Sequence, residues 1–81
     1  MNIYVGNLNY HVGENDLKSV LEQFGEVDSV KLVKDRETGR SKGYAFVDMP
    51  DDGDARKAIG ELNEKELEGR RMVVKEALPR K

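Results

Sequence analysis

KGYAFVDM, residues 42–49, has the alternating pattern of a half-buried β-strand. Successive side chains of a strand point to opposite faces of its sheet. One face therefore carries the small and aliphatic side chains of Ala45, Val47 and Met49. The other face carries Tyr44, Phe46 and Asp48. Aromatic rings beside a carboxylate are unusual on the solvent side of a strand, so we expect either another part of the chain or a ligand to cover these two rings.

The beginning of the chain repeats this pattern. In NIYVGNL, residues 2–8, Ile3 and Val5 point to one face and Tyr4 points to the other, before a Gly-Asn pair ends the strand. If this strand lies beside residues 42–49 in one sheet, a third ring joins the first two on the same face.

A first amphipathic helix is predicted from Glu14 to about Phe24, because apolar residues recur there at the spacing i, i+3, i+4, i+7. Gly13 is its expected N-cap, and Gly25 is expected to give the helix a left-handed exit. The apolar stripe consists of Leu17, Val20, Leu21 and Phe24.

A second helix has the same spacing and is predicted to end at about Asn63. Asp51 and Asp52 precede it and can cap its first turn. Two glycines inside it, Gly53 and Gly60, make it the weaker of the two helices. Its stripe consists of Ala55, Ala58, Ile59 and Leu62.

Two further strands complete the chain. One extends from Val27 to Lys34 and forms an antiparallel hairpin with the next strand through the polar loop 35–41. The last extends from Arg70 to about Glu76, after a brief pairing of residues 64–68 and a turn at Gly69.

The order strand, helix, strand, strand, helix, strand predicts an α+β fold, the ferredoxin-like βαββαβ sandwich. Its four-stranded antiparallel sheet has the strand order 4-1-3-2, because both crossovers are right-handed, and both helices cover one face. The two strands with aromatic residues are then central neighbours, and all three rings lie on the face without helices. We expect one domain over residues 1–77 and a short basic tail over residues 78–81.

Charge is unevenly distributed, although the chain has 14 Lys and Arg residues against 16 Asp and Glu residues. Residues 31–42 contain five basic and two acidic residues, and residues 70–81 contain five basic and one acidic residue. Residues 13–26 contain one basic and four acidic residues, and residues 50–68 contain three basic and seven acidic residues. Because the acidic segments coincide with the predicted helices, we expect the opposite side of the sheet to be basic.

Three exposed rings flanked by basic residues favour single-stranded nucleic acid as the ligand. Each base offers a face for stacking, each phosphate offers a charge, and a duplex would hide its base faces. The flanking cations are Lys31, Lys42, Arg71 and Lys75. The alternatives are a partner protein or the chain's own tail on the ring face, and a protein-interaction module that uses the acidic helical side.

Residues 42–49 resemble the longer ribonucleoprotein motif of the RNA recognition motif family. IYVGNL, residues 3–8, resembles its shorter partner motif. The likeness extends over nearly the whole chain. It is greatest to the small single-domain RNA-binding proteins of bacteria. The resemblance implies that Tyr4 and Phe46 each stack one base of a dinucleotide, that Tyr44 lies between the sugars, and that Lys42 contacts a phosphate. Met49 departs from the family's more common aromatic residue, but the alternation places it in the core.

The complete set of expected RNA-binding residues is Tyr4, Tyr44, Phe46, Lys42, Asn2, Lys31, Arg71, Lys75 and Arg40. The expected partner is single-stranded RNA, with single-stranded DNA as an alternative, because the preference for RNA comes only from the resemblance. His11 is interpreted as a solvated loop residue, with a nucleic-acid contact as the alternative.

Other classes of protein are disfavoured. The chain has no cysteine, which excludes disulfides, thiolate zinc sites and a cysteine nucleophile. An acylphosphatase-like enzyme would need an arginine in the loop after the first strand, where this chain has none. We therefore expect no enzyme, no cofactor and no metal. No apolar run approaches the ~18 residues of a membrane-spanning helix, and we expect a cytoplasmic monomer.

Overall fold

The computed structural model describes residues 1–77, so the predicted basic tail lies outside the described residues. In chain order, the elements are strand β1 (Asn2–Gly6), helix α1 (Glu14–Glu22), strands β2 (Ser29–Lys34) and β3 (Ser41–Asp48), helix α2 (Asp52–Leu62), and strands β4 (Glu66–Leu67), β5 (Arg70–Arg71) and β6 (Val73–Ala77). Neither helix in this part of the chain is long and apolar enough to cross a membrane.

The main sheet has four antiparallel strands in the order β2-β3-β1-β6. This is the predicted order 4-1-3-2, because β6 is the fourth predicted strand. The predicted α+β class and ferredoxin-like arrangement are thereby confirmed. As expected, β1 and β3 are central neighbours, so their side chains determine the character of both sheet faces.

The hydrophobic core lies on the face of the sheet that the helices cover. The inward apolar residues of β1, β3 and β6 are buried, among them Ile3, Val47 and Val74, and so are the helix residues Leu17 and Ala55. Val30 and Leu32 of the edge strand β2 are half-buried against this core. The predicted inward positions are confirmed, including Met49, which is 0% exposed. Phe24 and Ile59 are half-buried against this core.

Both helices begin where the sequence predicts. The backbone N–H of Gly13 donates to the Asp16 carboxylate, 2.9 Å away, at the start of α1. The Asp51 carboxylate accepts a hydrogen bond of 2.9 Å from the backbone N–H of Asp54 at the start of α2. Both helices also have acidic side chains in their first turn, and the attraction between these charges and the positive end of the helix dipole stabilises each helix.

Two local predictions were wrong. The last strand is divided at Met72, because Met72 pairs with the segment before β4 and not with β1. The N–H of Met72 donates to the carbonyl of Lys65, 2.8 Å away, and its carbonyl accepts from the N–H of Glu64 at 2.8 Å. Gly25 does not have a left-handed backbone. A Cβ atom at residue 25 would instead collide with the Asp54 side chain, so the position has no room even for alanine while Asp54 keeps its place.

Candidate nucleic-acid interface

Four side chains form a straight row across the main sheet. Lys31 on β2 is paired with Phe46 on β3, Phe46 with Tyr4 on β1, and Tyr4 with Lys75 on β6. Directly opposed side chains lie on the same face of an antiparallel sheet, about 5 Å apart at their Cβ atoms. Val5, Val47 and Val74, which adjoin Tyr4, Phe46 and Lys75 along the strands, are buried in the core, and Leu32, which adjoins Lys31, packs against it. The row therefore lies on the face without helices. The order of side chains along the row is therefore cation, ring, ring, cation.

The rings of Tyr4, Tyr44 and Phe46, here called the ring platform, contact one another. The Tyr4 and Tyr44 centroids are 5.9 Å apart with an interplanar angle of 30°. Phe46 meets both tyrosines edge-on, with its centroid 5.8 Å from that of Tyr4 and 6.1 Å from that of Tyr44. These are the preferred separations of aromatic pairs, and each contact restrains the rings before any ligand arrives. The platform is therefore preorganised, and each of its rings is half-buried.

Gly6 leaves room for the Tyr4 ring. A Cβ atom at this position would lie 2.5 Å from Oη and 2.7 Å from Cε1 of Tyr4. The ring thus occupies the volume that a side chain at Gly6 would fill. Sequence reasoning treated this glycine only as the end of a strand, and no local pattern distinguishes the two roles.

Gly43 connects the platform to the loop after β1. Its φ of 83° lies in the left-handed region, and its carbonyl accepts a hydrogen bond of 2.8 Å from the N–H of Leu8. Few residues other than glycine adopt this conformation without strain. The bond holds the start of β3, and so Tyr44, against the end of β1.

Four of the five predicted cations fall into two groups. Lys31 and Lys75 are exposed and flank the platform within the row. Lys42 is exposed at the start of β3, two residues before Tyr44, and Arg40 is exposed in the preceding loop. Arg71 is exposed on β5, outside the main sheet, so the structure does not bring it into the row.

Asn2 lies at the other end of β1, where it is paired with Asp48 on one side and Ala77 on the other. Its parity along the strand places it on the ring face, two residues from Tyr4. Val73 also belongs to this face, by the same parity with Lys75, and it is 43% exposed. Val73 is not among the binding residues that the sequence predicted.

Two asparagines that the sequence did not single out fix the loop after β1. The Asn7 side chain donates from Nδ2 to the carbonyl of Arg71, 2.7 Å away, and accepts at Oδ1 from Nη2 of Arg70 at 2.9 Å. Asn9 donates from Nδ2 to the carbonyl of Glu68 at 3.0 Å. These bonds tie the loop to the small hairpin of β4 and β5. The one local signal was that asparagine tolerates a left-handed backbone, which Asn7 adopts with φ of 58°.

The connection between β2 and β3 is ordered by a carboxylate. The backbone N–H groups of Glu37 and Thr38 donate to Oδ1 of Asp35 at 2.8 and 3.2 Å. These two bonds hold the pKa of Asp35 below its ordinary value of 3.8, and the charge of Lys42 acts weakly in the same direction. The basic residues of this connection are thus presented on a defined turn.

Metal-binding side chains are not clustered in residues 1–77. No group of three or more histidine, aspartate and glutamate side chains there is arranged to hold a metal ion. His11 is exposed in the loop after β1, and its backbone N–H donates to Oδ1 of Asn9. The arrangement that this surface does offer is a set of flat apolar rings with cations on both sides.

Comparison with known proteins identifies relatives over almost the whole chain. The model of the RNA recognition motif family matches residues 3–73. The protein RbpD of Nostoc sp. is 51% identical over 80 residues, which covers 99% of this chain and 85% of RbpD.

Two solved structures are similar to this one. The crystal structure of the RNA-binding protein PG1 superposes with a TM-score of 0.97 at 58% identity, over 100% of this chain and 98% of that one. The RNA recognition motif of Rna15 with bound RNA (GU) superposes with a TM-score of 0.84 at 30% identity, over 94% of this chain and 81% of that one.

Proposed function

This chain belongs to the RNA recognition motif family, and we propose that it is a single-stranded RNA-binding module whose ring platform stacks bases. In this proposal, Tyr4 and Phe46 each stack one base, and Tyr44 contacts the sugars between them. Lys31, Lys75, Lys42 and Arg40 contact phosphates. RNA is bound and released unchanged, with no catalytic step and no cofactor.

The observation that carries this proposal is the row of Lys31, Phe46, Tyr4 and Lys75. Stacking of one base on an aromatic side chain contributes about 1–3 kcal/mol, and each neutralised phosphate adds a salt-dependent term. The row places a cation beside each of the two central rings, so one nucleotide can use both kinds of contact. A solved structure at 30% identity, that of Rna15, contains bound RNA (GU), which supports this use of the fold.

The platform and its two flanking lysines come from a single chain, so the proposed binding mode requires only one copy of the protein. Stacking does not distinguish RNA from single-stranded DNA, because both present the same base faces. The preference for RNA in the proposal therefore rests on the family and its relatives. A protein-interaction role for the acidic helical side would leave the ring platform unoccupied and has no comparable arrangement of side chains to support it.

NMR titration of the labelled protein with a single-stranded RNA of eight nucleotides tests the proposal. We expect backbone amide shifts in β1, β3 and β6 near the platform, while exposed residues of α2 such as Lys57 remain unchanged. Single-stranded DNA of the same sequence and an RNA duplex serve as comparisons, and the duplex should bind more weakly because its base faces are hidden. Shifts confined to the helices would contradict the proposal.

A further inference from the structure

The main sheet has two outer edges, one at β2 and one at β6. In the part of the chain that the structure describes, no further strand of this sheet lies beyond either of them. An edge strand presents a row of N–H and C=O groups that can pair with a strand of another chain. The way in which each edge is closed therefore determines whether the sheet can extend into a second copy of the protein.

The edge at β6 is closed by the chain's own backbone and one amide side chain. Just before β6, the backbone of Met72 forms two hydrogen bonds of 2.8 Å, one with Glu64 and one with Lys65. Val74 donates its N–H to Oδ1 of Asn63 at 3.0 Å. Three hydrogen bonds to residues 63–65 thus cover the first part of this edge.

The edge at β2 is closed by a carboxylate. The N–H of Leu32 donates to Oε2 of Glu14, 3.2 Å away. Glu14 is exposed and is the first residue of α1, the helix that packs against β2. The acceptor is therefore a single side chain that a substitution can remove without a change in the backbone.

The regular part of β2 is short, so the loss of one N–H group matters. The register of β2 with β3 is unbroken over residues 29–32 and shifts between Leu32 and Lys34. The N–H groups of an antiparallel strand point alternately to one side and the other. Since the Leu32 N–H points outward to Glu14, the Val30 N–H points outward as well. These are the two outward N–H groups of the regular stretch, and Glu14 occupies one of them.

The partner that fits this edge is β2 of a second copy of this chain. Two β2 strands can pair antiparallel about a two-fold axis, with Val30 of each copy opposite Leu32 of the other. This pairing uses both outward N–H groups of each copy, and it brings together apolar side chains that are only half-buried in one copy. It also places Lys31 of one copy opposite Lys31 of the other, where like charges oppose association.

We propose that Glu14 closes the outer edge of β2 and so keeps two copies of the protein from pairing through this strand. Its carboxylate takes the Leu32 N–H that the pairing needs, and repulsion between the two Lys31 side chains acts in the same direction. This role is independent of RNA binding, so its test uses the protein alone. The negative charge of Glu14 also favours the start of α1, and the variants below separate the two effects.

Amide hydrogen exchange of Leu32 in dilute protein tests the contact itself. We expect this amide to exchange on the order of tenfold faster in Glu14→Ala than in the wild type, because a hydrogen bond to a charged acceptor is lost. Glu14→Asp keeps the charge at the start of α1 but is one methylene shorter, so it should exchange as fast as Glu14→Ala. Glu14→Gln keeps an acceptor of the same reach and should exchange within about threefold of the wild type.

Sedimentation velocity at increasing protein concentration tests the consequence for association. Glu14→Ala should form dimers at concentrations where the wild type and Glu14→Gln sediment as monomers. Added salt should strengthen this dimer, because salt screens the two Lys31 charges. Lys31→Gln combined with Glu14→Ala should tighten the dimer about fivefold, because the opposed charges are removed. Glu61→Ala, which removes an exposed carboxylate on α2, is the matched control and should sediment as the wild type does.

Each outcome bears on the proposal. A Glu14→Ala variant that stays monomeric at every concentration would overturn it, as would a wild type that dimerises as readily as this variant. A dimer in which the amides of Val30 and Leu32 gain no protection from exchange would also overturn it, because the contact would then lie elsewhere. Thermal unfolding checks that each variant is folded, and Glu14→Asp carries both tests if Glu14→Ala does not fold.

Discussion

Lys75 lies directly opposite Tyr4 on the neighbouring strand, with its Nζ 5.3 Å from the centroid of the Tyr4 ring. A cation at this distance from an aromatic ring at an exposed site contributes about 0.5–1 kcal/mol. The contact holds the ammonium group at the edge of the ring platform. A nucleotide whose base stacks on Tyr4 therefore has a positive charge within reach of its phosphate.

Replacement of Lys75 by glutamine should weaken RNA binding and reduce its salt dependence. Loss of one phosphate contact to a single strand lowers the slope of log K against log salt concentration by about 0.7. Measurement of Kd for an eight-nucleotide RNA at several salt concentrations gives this slope. Lys57→Gln, on the helical side, should leave the slope at the wild-type value. An unchanged slope in Lys75→Gln would show that this lysine contacts no phosphate.

Gly6→Ala should weaken RNA binding although residue 6 itself contacts no base. The added Cβ would lie 2.5 Å from Oη of Tyr4, so the ring has to leave its place on the platform. We expect a loss of up to about 1–3 kcal/mol of binding free energy, which approaches the effect of Tyr4→Ala. Kd measurements on both variants, combined with thermal unfolding, test this.

Gly60→Ala is the matched control for that substitution. Gly60 is exposed in α2, and a Cβ atom there meets nothing within 4 Å. The variant should be more stable than the wild type by about 1 kcal/mol, because alanine is the better helix former, and its Kd for RNA should not change. Wild-type affinity in Gly6→Ala would mean that the Tyr4 ring is not needed in its observed position.

The two hydrogen bonds that the Asp35 carboxylate accepts in the turn between β2 and β3 should weaken in acid at a pH below 3.8. Hydrogen bonds from Glu37 and Thr38 lower the pKa of Asp35 from its ordinary value of 3.8. A lowered folded-state pKa means that these bonds stabilise the turn above pH 3.8 and are lost as the pH falls through the folded-state pKa. The backbone amide shifts of Glu37 and Thr38, followed by NMR, should titrate with a midpoint below 3.8.

Asp35→Asn is the control for the pH titration: its amide cannot ionise, so the part of these shifts that comes from Asp35 should be absent. A midpoint at or above 3.8 in the wild type would contradict the assignment of these two hydrogen bonds as the cause of the lowered pKa.

The facing of the strands could be predicted from the sequence because it is a local property. Alternation along β1 and β3 alone placed Tyr4, Tyr44 and Phe46 on one face, and the structure confirms this. The strand order also followed, because the handedness of crossovers leaves one arrangement for this order of elements. Together these two rules predict the ring platform from the sequence alone.

The division of the last strand could not be predicted, because the choice of pairing partner is not local. Alternation continues without interruption from Arg70 to Glu76, yet Met72 pairs with Glu64 and Lys65, whereas Val73 pairs with Gly6. The predicted position of Arg71 beside the rings depended on a single continuous strand. Its backbone is instead held in the small hairpin by Asn7.

The structural roles of two glycines could not be predicted either, because a sequence does not show which property of glycine is used. Gly25 was predicted to supply a left-handed backbone, but it is needed for the close approach of the Asp54 side chain. Gly6 likewise makes room for a ring. In both cases the neighbour that requires the glycine is identified only by the three-dimensional structure.

The central claim is that bases stack on the exposed faces of the platform rings, and Phe46→Ala tests it most directly. Phe24→Ala is the matched control, because Phe24 is half-buried against the core on the helical side. It should be less stable than the wild type by about 1–3 kcal/mol, while its folded form keeps the wild-type Kd.

The decisive measurement is the Kd of Phe46→Ala for an eight-nucleotide single-stranded RNA, together with its free energy of unfolding. We predict weaker binding by about 1–3 kcal/mol, with a loss of stability of only about 1 kcal/mol from the missing ring contacts. Wild-type affinity in a folded Phe46→Ala, or its complete unfolding, would contradict the account, since the ring would then be either irrelevant to binding or part of the core.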